Sequence, residues 1–433
     1  MGAATLLVFG LIYLLAVRNG DISDHLSLHN SAAKEKASNA WSHVTGDTPQ
    51  RSQEISTQPQ PTSFVAIDKQ EQAVADDETL QRFLKALDEG KTTGDATQAP
   101  PADNSIQWSA PVTTSRVEYP FQEDLKLEFP FSALLEFKDS PPLHYSAAGL
   151  KTFAYSTFMA TRNPSPNDPY FLAILSLTHR LLWSPRSRTT KPYPFIVFVA
   201  DFVTQEQRDI LAGSGAVVRE LPPLEWHCDV LETQKRWVDL FAKLNMWAQT
   251  EFERLIFLDA DAFPLENIDD MFDAAPYQHF IAEKMALDDL FSDGAHAAAP
   301  YIFAGVPQAP WNTTYPEINV GSMIFTPDTA MHQRLLQNYL KHDHYNCGMA
   351  EQAFLNWQFD LASAYPPTLL ERKWGGMFPG QDEEGKLKVV HQKIWAQESG
   401  WMKMEWERGW SEMVGWYGGQ EFVRERGMGI ASR

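Results

Sequence analysis

Cysteine is almost missing from this chain. Cys228 and Cys347 are the only two in 433 residues, which excludes a disulfide-built scaffold or a cysteine-rich zinc module and leaves room for one disulfide. Positive charge is scarce as well. Thirty-six basic residues against 56 acidic ones give a net charge of −20, a balance that repels phosphate backbones and argues against nucleic acid as a partner. Aromatic side chains are nearly absent from one stretch: residues 19 to 110 hold four (Trp41, Phe64, Phe83 and Trp108), whereas residues 111 to 433 hold 47. A packed core cannot be built at the first density, so the chain reads as one large globular domain behind a polar leader. No internal repeat is visible.

The amino terminus carries an unbroken run of apolar or small residues from Met1 to Val17, ended by Arg18, Asn19 and Asp21. Its length sits at the short end of what spans a bilayer. No basic residue precedes it and no small-residue cleavage pattern follows, so residues 1–18 read as an uncleaved signal anchor and not as a removable signal peptide. Residues 19–110 are rich in Ser, Thr, Gln, Pro and Ala and read as a disordered stem, with Leu80, Phe83, Leu84 and Leu87 spaced for a short amphipathic helix within it. Residues 111–149 form a transition, and residues 150–433 the globular domain.

Within that domain apolar runs alternate with amphipathic stretches. Lys151 to Met159, Phe195 to Asp201, Ala216 to Leu221 and Arg254 to Leu258 read as strands. Between them Asp168 to Trp183 has a helical pattern, with Asp168 as cap and Pro169 at the first helical position. Gln205 to Leu211 and Lys235 to Glu251 are the other expected helices. This alternation predicts an α/β fold of doubly wound, Rossmann-like type, in which ligands sit at the carboxyl ends of the strands. The last of those strands runs into Asp259-Ala260-Asp261. Two carboxylates one residue apart on an extended chain point to the same side, and would repel each other unless a divalent cation or hydrogen-bond donors compensate.

Lys243-Leu244, Trp247, Thr250, Phe257, Asp259-Ala260-Asp261, Leu265, Asn267-Ile268-Asp269-Asp270 and Phe272 stand at spacings that resemble glycosyltransferase family 8, the glycogenin-like enzymes. The similarity continues at Asn319-Val320-Gly321 before the apolar Ser322 to Phe325, and at Glu351-Gln352-Ala353-Phe354-Leu355-Asn356, which resembles the family's Asp-Gln-Gly-Leu-Leu-Asn. It spans about residues 150 to 396. There are two departures: the family closes with His-x-x-Gly-x-x-Lys-Pro-Trp where this chain has His391-Gln392-Lys393-Ile394-Trp395, and Glu351 stands where the family has aspartate.

The resemblance implies a GT-A fold and a retaining hexosyl transfer from a nucleotide-diphospho-sugar, a UDP-sugar above all, to a glycan or protein-linked acceptor. It implies Asp259, Asp261 and His391 as ligands of manganese or magnesium, and Glu351 and Gln352 as the catalytic pair. Tyr155, Thr157, Tyr170, Lys243, Asp259, Ala260, Asp261, Asn319, Gly321 and Lys393 fall at donor-binding positions. An N-acetylglucosaminyltransferase acting on mannose-rich glycans is the alternative within enzymes, and a catalytically inactive, membrane-tethered sugar-nucleotide-binding or scaffold protein the alternative outside them. A membrane-anchored, fungal-type member would place its domain in the Golgi lumen as a type II protein, where the Asn312-Thr313-Thr314 sequon would be glycosylated. The five tryptophans Trp395, Trp401, Trp406, Trp410 and Trp416 are expected to pack in the core and not to form a sugar platform.

Overall fold

The computed structural model describes residues 119–145, 152–226, 237–308 and 317–427. The expected anchor, the stem with its short helix, and the sequon at Asn312 lie outside the described residues. Among the described residues no helix is long and apolar enough to cross a membrane.

Strand β1 (Thr152–Met159) is followed by helix α2 (Pro169–Leu182), β2 (Phe195–Val199), α3 (Gln205–Gly213) and β3 (Val217–Glu220); α1 is the short Phe131–Leu135 upstream. The local signals account for these boundaries. Asp168 accepts a hydrogen bond from the Phe171 amide at 2.8 Å and Pro169 opens the helix, which satisfies one of the orphan donors at its start. All five residues of β2 are buried, as a parallel strand covered on both faces requires. The chain then makes β4 (Phe252–Leu258), β5 (Ala262–Pro264), β6 (Phe303–Pro307), β7 (Ile318–Phe325), α4 (Thr329–Asn338), α5 (Ala350–Gln358), β8 (Thr368–Leu369), β9 (Gly376–Met377), β10 (Val389–His391), α6 (Trp401–Tyr417) and α7 (Gln420–Gly427).

Seven strands form the main sheet in the order β3-β2-β1-β4-β7-β6-β8. The first four run parallel, as the alternating pattern predicted, but β7 pairs antiparallel with β4 and with β6. The domain is therefore mixed α/β and rich in parallel pairs. A second sheet, β5-β10-β9, starts where the chain leaves β4. His391 of β10 faces Ala262 of β5 in its register, and the two sheets meet around Asp259 to Ala262.

The segment expected as one α-helix from Lys235 to Glu251 differs. Leu240–Ala248 is a 3₁₀-helix, and Phe241, Leu244 and Trp247 are all buried. Side chains three apart eclipse in a 3₁₀-helix, so this spacing lays a straight apolar seam on the sheet, where Trp247 stacks on Phe325 at 4.2 Å between centroids.

The packed domain also begins upstream of residue 150. Leu134 is fully buried, Phe131 stacks on Phe171, Phe129 lies against Trp410 and Tyr417, and Phe137 meets Phe422 edge-on. Trp395, Trp401 and Trp406 are buried and Trp410 and Trp416 pack half-buried against the core, as expected for a structural cluster. Helix α6 is docked through Glu405, which receives Arg180, Arg186 and Arg408. The buried Arg180 also donates to the Pro264 carbonyl of β5 at 3.0 Å.

Candidate active site

Strand β4 delivers Asp259 at its carboxyl end, and the backbone around the pair is held on both sides. The Asp259 amide donates to the Gly321 carbonyl at 2.8 Å, and the Gln392 amide to the Asp261 carbonyl at 2.9 Å. These two bonds bring β4, β7 and β10 to one point. There Asp259, Asp261 and His391 each present one ligand atom, and the three atoms lie within 4.8 Å of one another. His391 Nε2 is 3.2 Å from Asp261 and 3.8 Å from Asp259. Two carboxylates and an imidazole form a donor set that suits a divalent first-row cation or magnesium. Burial would raise the Asp261 carboxyl, but Lys393 and His391 outweigh it and hold the group well below the usual carboxylate range. It is ready as an anionic ligand.

The space between these residues exists because position 321 is glycine. A Cβ there would lie 2.2 Å from His391 Cε1 and 2.5 Å from Asp259 Oδ2. Ala260, between the two aspartates, is buried.

Lys243 is buried within the 3₁₀-helix Leu240–Ala248. Its ammonium donates to Asp259 at 2.9 Å and to Glu351 at 2.8 Å, and it sits 4.8 Å over the Phe257 ring. Burial pulls its affinity for a proton down, but the two carboxylates prevail and hold it above its ordinary value. Burial lifts the Glu351 carboxyl, with Lys243 acting in the opposite direction. Lys243 thus joins the aspartate pair to Glu351 at the start of α5.

Next to Glu351, the Gln352 side chain accepts from Asn319 at 3.4 Å and donates to Gln308 at 2.5 Å. Asn319 accepts from the Gly321 amide at 3.0 Å and reaches the Met377 sulfur at 2.9 Å. Lys393 donates to Asp261 at 2.6 Å and lies 5.2 Å from the centre of the Phe121 ring. Tyr170, half-buried at the start of α2, meets Trp395 edge-on at 5.5 Å.

Two residues expected at the donor site lie on the other face of β1 from Ser156, which registers with Phe257. Tyr155 and Thr157 are both fully buried. The Tyr155 hydroxyl donates to Asp269 at 2.7 Å, and its ring packs against Phe272 and Tyr193. The physical reason is strand alternation: Tyr155 shares a register row with Ile256, whereas Phe257 registers with Ser156 and faces the other side, where Lys243 lies over its ring and bonds Asp259. Gln308, Met377 and Phe121 were not visible in the sequence as site residues. They belong to no recognised motif, and only the packing brings them to Gln352, Asn319 and Lys393.

Cys347 is disulfide-bonded, and the sequence holds one other cysteine, Cys228, which lies outside the described residues.

The chain matches no protein-family model. It is 30% identical to galactinol synthase 1 of Solanum lycopersicum over 246 residues, which cover 55% of this chain and 70% of that protein. With galactinol synthase 4 of Arabidopsis thaliana it shares 28% identity over 256 residues, covering 55% and 70%. Among solved structures, the glycosyltransferase GlyE of Streptococcus pneumoniae aligns with a TM-score of 0.38 at 15% identity, over 62% of this chain and 64% of that one.

Proposed function

We propose, from the premise that the chain belongs to glycosyltransferase family 8, that this glycosyltransferase moves a hexose from a nucleotide-diphospho-sugar, with UDP-sugars the first choice, to a glycan or protein-linked hydroxyl with retention at the anomeric carbon. The observation that carries the reading is the convergence of Asp259 and Asp261, in the turn from β4 to β5, and His391 of β10 onto one point, with the Lys243 and Glu351 ion pair beside it.

A divalent cation, manganese or magnesium, held by Asp259, Asp261 and His391 would supply positive charge to the diphosphate as it leaves. The rest is done by side chains. The acceptor oxygen forms its bond to the anomeric carbon on the face from which the diphosphate departs, the bond to the diphosphate oxygen breaks, and the acceptor proton passes to that oxygen. The products are a glycoside and a nucleoside diphosphate. Glu351, held by Lys243, and Gln352 border the cationic sugar that develops between these events, and Asn319 is placed to hold its hydroxyls. Lys393 faces the same point and is the candidate contact for phosphate.

The same reading extends to compartment. A membrane-anchored enzyme with its domain in the Golgi lumen is supported by the apolar run at residues 1–17 and the Asn312 sequon, and by the disulfide at Cys347, because disulfides persist in oxidising compartments.

Asp261→Ala tests the reaction. Nucleotide release from a panel of sugar nucleotides should require a divalent cation and fall by at least 100-fold in the variant, the scale of losing one group that stabilises developing charge, while its circular dichroism melt persists. Unchanged turnover in chelator would overturn the proposal.

A further inference from the structure

The amide side chains beside Asp259 and His391 form a hydrogen-bond chain whose polarity is fixed at one end. A backbone N–H can only donate, so the Gly321 amide, 3.0 Å from Asn319 Oδ1, makes Asn319 turn its oxygen toward Gly321 and its Nδ2 away. Asn319 Nδ2 then donates to the Met377 sulfur at 2.9 Å and to Gln352 Oε1 at 3.4 Å. With its oxygen committed there, Gln352 carries its Nε2 on the other side, where it donates to Gln308 Oε1 at 2.5 Å. A carboxamide has one accepting and one donating end, so each orientation follows from the one before.

The backbones that carry these groups are clipped together. Gln308 follows the end of β6, and its amide donates to the Glu317 carbonyl at 2.7 Å. Asn356 of α5 accepts from the Ile318 amide at 2.6 Å and donates to the carbonyls of Ile318 and Gln352, each at 2.8 Å. The start of β7 therefore holds α5, with Gln352, in fixed relation to Gln308.

Orientation matters because a carboxamide is a dipole: its oxygen end favours a nearby positive charge and its NH2 end opposes one. The Oε1 end of Gln352 lies toward Asn319 and Gly321, whose own neighbours are Asp259 and His391. The Nε2 end lies toward Gln308. Turning the amide over would set nitrogen against nitrogen at Asn319 and oxygen against oxygen at Gln308.

We propose that Gln308 is a positioning residue of the transfer reaction: it holds Gln352 with its carbonyl oxygen on the side of Asp259 and His391, where the cationic sugar develops, and keeps the NH2 end away. The inference rests on the transferase reading given above and adds to it a residue that no motif marks.

Two changes in the full chain test it. Gln308→Met removes the acceptor at nearly constant length, and Gln308→Glu keeps it; each is also made together with Gln352→Met. Turnover is measured with manganese and the best donor of a UDP-sugar panel. Gln308→Met should lower kcat about 10-fold, the scale of one hydrogen bond, and leave the donor KM and the manganese affinity by titration calorimetry within about 2-fold. Gln308→Glu should hold kcat within about 3-fold of wild type. In the Gln352→Met background neither change should have a further effect, as non-additivity requires of a residue that acts through another. A difference between Glu and Met that persists there would mean that the new charge acts on the sugar directly, and overturns the proposal. A second readout needs no turnover. In protein labelled with nitrogen-15 glutamine, the side-chain amide of Gln352, assigned by its loss in Gln352→Met, should exchange with solvent about 10-fold faster in Gln308→Met than in wild type or Gln308→Glu. Equal exchange in all three, or equal loss of kcat in both backgrounds, overturns the positioning role. Absence of nucleotide release from the wild-type protein overturns the transferase reading instead, and the exchange rates then decide the amide lock alone.

Discussion

Gly321→Ala puts the smallest possible perturbation at the centre of the site. The added methyl carbon would stand 2.2 Å from His391 Cε1, 2.8 Å from His391 Nε2 and 2.5 Å from Asp259 Oδ2. Ordinary contact needs more than 3 Å, so the imidazole must retreat by about 1 Å, against a tolerance of about 0.2 Å for a metal–ligand distance. Backbone strain plays no part, because Gly321 lies within β7 and not at a left-handed turn. The expected outcome is a manganese affinity weaker by about 10–100-fold, the scale of misorienting one ligand, together with turnover lower by about 100–1000-fold. Titration calorimetry with manganese, nucleotide release and a thermal melt measure the three quantities. Gly305→Ala is the control: its Cβ would lie 2.3 Å from Ile318 Cγ2, in the same sheet, so it should lower the melting temperature and leave manganese affinity unchanged. Equal manganese affinity in Gly321→Ala and wild type would refute the assignment of His391 and Asp259 as joint ligands.

Three further outcomes concern acid stability, the domain boundary and the compartment. Burial opposes ionisation of Glu405, but Arg186 and Arg180 prevail and bring its carboxyl from 4.5 down to about 2. A depressed carboxyl stabilises the fold above its unfolded value, and that stability drains as pH falls from about 4.5 through 2, amounting to roughly 3 kcal/mol. Urea unfolding of wild type should therefore weaken across that window, and Glu405→Gln should be less stable at pH 7 with a flatter acid profile; parallel profiles would contradict this. Deleting residues 1–118 should leave a folded, active domain. Deletion through residue 138 should give insoluble protein, because it strips the buried Leu134, worth about 1.5–3 kcal/mol, and the partly buried rings of Phe129, Phe131 and Phe137, each worth a fraction of that, from a total of about 5–15 kcal/mol. For compartment, protease added to sealed microsomes should spare the domain and a glycosidase shift should vanish in Asn312→Gln, whereas digestion from outside would put the domain in the cytosol.

How far the sequence alone determined this protein follows from the range over which each signal acts. Asp168 and Pro169 start α2, and the apolar run at Phe195 makes β2, because capping and burial periodicity operate within one element and need no partner. Asp259 and Asp261 were legible for the same reason, as two carboxylates at the end of an apolar strand. The rest depended on contacts that no local rule encodes. Lys243 and Glu351 lie 108 residues apart and Lys393 and Asp261 lie 132 apart; only the order of strands in the two sheets makes them neighbours. Which face of β1 Tyr155 and Thr157 take was also a tertiary matter, since motif position does not say how a strand's register sets its residues against Ile256 or Phe257 of β4. The 3₁₀ path at Leu240–Ala248 and the inclusion of Phe129 to Phe137 in the core were likewise tertiary decisions, taken because an eclipsed seam and a covering aromatic segment bury more apolar surface against the assembled sheet than either stretch could bury by itself.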